Sequence, residues 1–454
     1  MPHRSTTKMI LNLSVAAALA CGSGVAWADG DPVAELEARV AELEALVKQL
    51  LAEKQSAPPV APAADVEAKA EAAAAQKVET MMAAYKAEEE EKKKKHSFAI
   101  GGYVKADTIY SKFSDGSYSG AGRDFYIPAT IPVAQGDGWG ESYLDFHVKE
   151  SRINFKSTHN LDSGDKLGTF IEFDMMLSGQ GDERISNSYA PRVRHAFITY
   201  NKWLFGQTWM TFFNVGALPE NLDFVGPAES TVFGRQPMIR YTSGPWQFAI
   251  ENPETTVSRY QAGGRIVADD SKVPDFVARN NAKGDWGNIS IAGIYRLLRY
   301  EDRTVGGPHD SEGGYGVSVS GKHMLGSKND FRWMATVGDG LGRYVGLNTA
   351  NDVVLDADGN LHAIGTASAF GSYRHFWSEK WRSNFTLGYL SVDNDTSLTG
   401  MGVTKEATSV HVNLIYNPLP KLDFGIELLL ADRELESGAD GDLTRLQFSA
   451  KYGF

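Results

Sequence analysis

Beyond Ala28 this chain contains no cysteine; the one it has, Cys21, lies in an N-terminal apolar run. Disulfides, thiol catalysis and Cys-based zinc sites are therefore excluded from the rest of the chain. No later apolar run is long enough for a membrane helix, so if the chain enters lipid it must satisfy its backbone as a closed barrel. Positive charge is also short. The formal net charge is −12, which argues against nucleic acid as a partner. Catalytic motifs are missing too: no serine stands in a nucleophile elbow, no glycine-rich phosphate loop precedes a helix, and the ten histidines show no metal-ligand spacing. Asp356-Ala-Asp358-Gly-Asn360 opens like a calcium loop but lacks the later glycine and glutamate, and it reads as a turn. No catalytic residue, metal or cofactor is expected.

What is present begins with an address. His3, Arg4 and Lys8 precede an apolar run from Met9 to Ala20, and the small-residue site Ala26-Trp27-Ala28 follows. Residues 1–28 thus read as a cleaved secretory signal. Ala18-Leu19-Ala20-Cys21 faintly resembles a lipoprotein box, with its leucine one place late. At the other end, Leu446, Phe448, Ala450, Tyr452 and Phe454 alternate with Arg445, Gln447, Ser449, Lys451 and Gly453. Such a strand invites aggregation in water but suits a wall with lipid outside and a polar lumen within.

Residues 29–55 carry a heptad repeat, with Val33, Val40 and Val47 at one seam position and Leu36, Leu43 and Leu50 at the other. The pattern predicts an oligomerising coiled coil and leaves dimer and trimer open; a single amphipathic helix is the alternative. An Ala/Pro linker and a Glu/Lys-rich helical spacer occupy residues 56–96, where Glu88 to Glu91 each precede a lysine of Lys92 to Lys95 by four residues. Those lysines face solvent or touch anionic lipid headgroups.

Over residues 97–454 the period becomes two. Sixteen strands are predicted, near 98–112, 141–157, 165–177, 190–200, 203–209, 235–242, 246–251, 275–282, 288–300, 313–324, 330–338, 363–376, 381–392, 408–416, 421–433 and 443–454. Connections after even-numbered strands are turn-like, whereas 113–140, 210–234, 252–274 and 339–362 are long. The fold class is an all-β transmembrane barrel of sixteen antiparallel strands with an N-terminal α-helical coiled coil, both termini lying on the periplasmic side. Trp203, Trp246, Trp286, Trp377 and Trp381, in or beside the short turns, fit an interfacial girdle.

If each strand's apolar phase faces lipid, the other phase lines the lumen. That places Arg152, Arg192, Arg194, Arg240, Arg279, Arg296, Arg374 and Arg382 inside, with fewer acids, including Glu172, Asp174 and Glu427. Val193, Phe197 and Thr199 are then outward, at the cost of an outward His195. Basic rings in a pore favour anions; pairing with acids is the competing account of the same residues. The connection 210–234 is unusually apolar and is expected to fold inward, leaving Glu220, Asp223 and Arg235 near a constriction; cell-surface contact is its alternative role.

Taken together, these residues resemble the DcaP-like outer-membrane porins. The likeness runs from the heptad helix through Phe98-Ala-Ile-Gly-Gly-Tyr-Val-Lys-Ala-Asp107 and Ser151-Arg-Ile-Asn-Phe155. It is clearest in Val193-Arg-His-Ala-Phe197, Phe205-Gly-Gln-Thr-Trp209, Ala217-Leu-Pro-Glu220, Arg235-Gln-Pro-Met-Ile-Arg240, Glu251-Asn-Pro-Glu254 and Pro274-Asp-Phe-Val-Ala-Arg279. The resemblance implies a homotrimer in outer-membrane lipid, passing small anionic solutes such as dicarboxylic or aromatic acids by diffusion. Ser449 departs from the glycine often found there in outer-membrane C-terminal signals. A structural protein tethering the envelope to the cell wall or a periplasmic partner through its coiled coil is the alternative reading.

Overall fold

The computed structural model describes residues 45, 48–49, 76–83 and 95–454, except 119, 135–138, 178–183, 185, 262–263 and 306. The signal at 1–28, the seam positions Val33, Leu36, Val40, Leu43, Val47 and Leu50, and the Ala/Pro linker lie outside the described residues. Two units divide the chain, Met1–Ala87 and Glu88–Phe454. In the first, residues 76–83 are helical, as expected of a stretch rich in alanine, glutamate and lysine.

The second unit is a closed antiparallel barrel of sixteen strands. They are β1 His96–Phe113, β2 Ser142–His147 continued by Arg152–Asn160, β3 Lys166–Asp174, β4 Arg192–Tyr200, β5 Trp203–Trp209, β6 Arg235–Ser243, β7 Trp246–Glu251, β8 Asp275–Gly284, β9 Gly287–Glu301, β10 His309–Leu325, β11 Asn329–Asp339, β12 Gly365–Phe376, β13 Trp381–Asp393, β14 Thr404–Leu419, β15 Leu422–Leu435 and β16 Asp440–Gly453. Consecutive strands pair throughout, and β16 closes on β1 in the register Tyr103↔Gly453 to Phe113↔Leu443. The connections after even-numbered strands are hairpins. Two of them turn on left-handed residues, Asn201 (φ 53°) and Gly244 (φ 57°), asparagine and glycine being the types that reach this region most cheaply.

The wall sorts its side chains as the period predicts. Leu446, Phe448 and Tyr452 of β16, and Phe454 just after it, are exposed on the outer face while Arg445, Gln447 and Ser449 are buried behind them. The five turn tryptophans are likewise exposed. One strand departs from simple alternation: His195 of β4 stands opposite Glu172, and Val193 opposite Phe173. Arg194 is therefore an extra residue, a bulge that turns Arg194 and His195 to the same side. His195 thus faces inward, its Nδ1 3.0 Å from Thr208 Oγ1, and Ile198 and Tyr200 replace Phe197 and Thr199 as the outward residues. The bulge avoids placing an imidazole in lipid.

The apolar core is inside the barrel, built by connections folded into it. Phe125, Tyr126, Phe212, Phe213, Val225, Val232, Tyr344 and Val345 are buried there together. Four short strands, Thr255–Ser258, Arg265–Ala268, Val353–Leu355 and Leu361–Ala363, make a separate sheet from the connections after β7 and β11. Val257, Ala268, Val353, Leu355 and Leu361 pack with Leu298 of β9.

Candidate functional site

The apolarity of 210–234 is spent inside the barrel, where burying its Phe and Val side chains removes them from water. Short 3₁₀ turns at Val215–Ala217 and Ala228–Ser230 bend the connection, the first capped by Asn214, whose side chain accepts from Gly216 N at 3.1 Å. It then runs round the wall as a collar. Arg279 of β8 donates to Phe213 O, Asn214 to Ser320 Oγ of β10 at 3.1 Å, and Arg332 of β11 to Leu218 O. Glu220 is clasped by Arg374 of β12 at 3.1 Å and Arg382 of β13 at 2.6 Å. Asn413 of β14 donates to Glu220 O at 2.9 Å, and Glu427 of β15 accepts from Leu222 N at 2.7 Å. Leu222 O accepts from Gln447 of β16 at 3.0 Å and Lys105 of β1 at 2.7 Å.

Two further connections brace the collar, a role that its neighbours Phe125-Tyr126 and Tyr344-Val345 signalled by their apolarity but that sequence reasoning missed. Tyr126 N donates to Asp223 Oδ2 at 2.8 Å. Val232 bridges to Val345, and Tyr344 O–H donates to Asp275 at 2.8 Å while accepting from Gln236 at 2.7 Å. The collar's own carboxyls feel this packing in opposite ways. Burial pushes Glu220 up, but Arg382 and Arg374 outweigh it and hold the carboxyl below its ordinary value. Burial carries Asp223 and Glu229 above theirs, against the opposing pull of Arg445 and His411 on the first and of His411 on the second.

All eight lumenal arginines are in the wall, but they differ in the charge left free. Arg296 is fully buried, held by Asp275 at 3.1 Å and Asp352 at 2.6 Å. It ties the wall to the connection after β11 and does not face a passing solute, so it leaves the pore-lining set. Arg194 is also buried, between Glu172 at 2.7 Å and Asp174 at 2.8 Å, and Arg192 shares Asp174 at 2.9 Å. Arg374 and Arg382 are engaged by Glu220, with Asp330 and Asp423 behind them. The inward acids are more numerous than the period suggested: Asp107, Glu150, Asp275, Asp330 and Asp423 add to Glu172, Asp174 and Glu427. Glu150 escaped notice because it sits where β2 is interrupted, and Asp352 because it comes from a connection.

Of the eight, Arg152, Arg240 and Arg279 have no carboxylate within ion-pair distance among the described residues, and neither does Arg235 at the end of the collar. Arg240 and Arg279 bond to neutral oxygens of Thr211, Trp209, Gln247 and the collar. Arg152 and Arg235 lie over rings instead. Arg152 is 5.1 Å from the Tyr103 centroid and 5.7 Å from that of Phe224; Arg235 is 4.5 Å from Trp209 and 5.6 Å from Phe233. Arg194 reaches Trp209 and Phe224 at 5.5 Å. Since Phe224 and Phe233 belong to the collar and touch at 6.0 Å, three guanidiniums and four aromatic rings meet at one edge of the collar. A guanidinium that lies over a ring rather than against a carboxylate has charge to offer an anion.

A closed wall with an apolar exterior, a polar lumen and a connection drawn inside to narrow it defines an outer-membrane porin. Within that class, residues 92–454 match the DcaP outer membrane protein family, and the chain belongs to it. Its place is the bacterial outer membrane. Among solved structures the chain is similar to the outer membrane channel DcaP of Acinetobacter baumannii, at 22% identity and TM-score 0.65 over 80% of this chain and 98% of that one. It is more distantly similar to an anion-selective porin from Comamonas acidovorans, at 11% identity and TM-score 0.47 over 79% of this chain and 100% of that one. No curated protein matches it.

Proposed function

We propose that this porin passes small anionic solutes, dicarboxylic or aromatic acids, by passive diffusion, and that it does so as a homotrimer joined through residues 29–55. The observation that carries the reading is the edge of the collar where Arg152 and Arg235 stand without carboxylate partners over Tyr103, Phe224, Trp209 and Phe233. A carboxylate meets unspent positive charge there, and an aromatic acid also meets ring faces. Arg240 and Arg279 extend the basic surface along β6 and β8. The unbroken Val/Leu seam supports the oligomer. Transport by this route needs no chemistry and no energy coupling.

The test is the reversal potential across a planar bilayer containing the purified native oligomer under a salt gradient. Anion preference is expected, together with a drop in chloride current when a dicarboxylate or an aromatic acid is added. Cation preference would mean that Glu150, Asp174 and the collar acids dominate, and the anion reading would fall.

A further inference from the structure

Along the chain the histidines carry no metal-ligand spacing, yet the barrel brings two of them together. His96, the first residue of β1, stands directly opposite His159 of β2, from which it is 63 residues distant in sequence. Their Nδ1 atoms are 2.8 Å apart, with ring centroids at 5.1 Å and planes tilted by 55°. Both share the outward phase of Phe98 and Phe155, whose rings lie 6.4 Å apart further along the wall. The pair therefore stands on the outer side of the periplasmic rim, His96 exposed and His159 half-buried.

Two ring nitrogens so close cannot both present bare lone pairs. They share either one proton or one metal ion. Zinc–nitrogen bonds of about 2.0–2.1 Å, set at right or tetrahedral angles, hold two ligand nitrogens about 2.9–3.4 Å apart, a spacing reached here by small ring rotations. Neutral imidazole suits zinc, copper and nickel. Next to the pair, Asp162 on the β2–β3 turn is paired with Lys95 at 2.9 Å and is largely exposed. The open side faces water, which can fill the remaining coordination positions.

We propose that His96 and His159 bind one first-row transition-metal ion per chain, through both Nδ1 atoms, at the periplasmic rim. The ion clips the start of β1 to the end of β2, where the barrel wall begins. Its solvent-open coordination makes it exchangeable with the periplasm.

Titration calorimetry of the purified full-length oligomer with ZnCl₂ tests this. One zinc per chain is expected, with affinity falling at least tenfold in His96→Gln and equally in His159→Gln. His323→Gln removes a histidine that stacks on Trp286 and should leave binding unchanged. Undiminished binding in either pair variant, or an equal loss in His323→Gln, overturns the site. Should a pair variant fail to fold, as judged by heat-modifiable gel mobility, the wild-type protein with one equivalent of CuCl₂ decides by electron paramagnetic resonance. Splitting from two nitrogens supports the pair; splitting from one or none refutes it.

Discussion

A lumenal arginine acts on a solute only with the charge its neighbours leave it. Which arginines face inward follows from the period-two pattern around Ile153, Val193 and Ile239, and was legible in the sequence. Which of them are spent was not, because their carboxylates come from other strands, from the interruption at Glu150 and from connections such as that carrying Asp352. The two kinds are separable by substitution. In a water-filled lumen a unit charge about 5 Å from a passing anion is worth about 0.8 kcal/mol, or roughly fourfold in permeability. Arg152→Gln and Arg235→Gln should each lower the anion-to-cation permeability ratio by about that factor, read as a shift in reversal potential. Arg296→Met should leave the ratio unchanged. It strands Asp275 and Asp352 without their cation, however, and removing one partner of a buried pair costs about 3–5 kcal/mol. The expected sign is earlier loss of the folded band when the purified protein is heated; a selectivity change without that loss would return Arg296 to the pore.

At the scale of elements, the strands were readable and the ways they are bent or filled were not. The outward His195 required by strict alternation was itself the signal of a bulge, since no lipid-facing wall tolerates it cheaply. The inward course of 210–234 was legible from its apolarity, but not its path around the wall from β8 to β1, which depends on partners scattered over nine strands. That path makes the collar sensitive to acid in a particular order. Asp223 and Glu229 have raised carboxyl values, so the stability they confer is complete below the ordinary range and is lost as pH rises through the raised values. Glu220 is lowered, so its anchoring is present above the ordinary value and is lost only as pH falls through the lowered one. Acidifying a bilayer from neutral pH therefore protonates Asp223 and Glu229 first and leaves the collar attached. Single-channel conductance should hold steady through about pH 4.5, the ordinary carboxylate range, and change below it as Glu220 leaves Arg374 and Arg382. In Glu220→Gln the low-pH step should be missing and current noise at neutral pH raised. A step that survives the substitution would place the anchor elsewhere, with Glu427 the next group to examine.

For the whole molecule, deletion can separate the closed barrel from the proposed N-terminal coiled coil. Among the described residues the strands of the wall pair with one another over residues 96–453, β16 returning to β1, as a closed barrel in lipid requires. Assembly is different under the proposal above, in which the Val/Leu seam of a coiled coil is covered by other copies of itself. Deleting residues 31–95 behind an intact signal should then give a barrel that still inserts and conducts in bilayers. Its oligomer should dissociate at lower temperature or detergent strength, measured by native gel or by light scattering in detergent. The same deletion weighs the channel against the tether. A channel role predicts unchanged ion selectivity per barrel and normal resistance of cells to detergents and large antibiotics. A tether role predicts leaky, detergent-sensitive cells even though the truncated barrel is present at full abundance. That second result, with conductance intact, would make the coiled coil the part through which the protein serves the envelope and diffusion the secondary property.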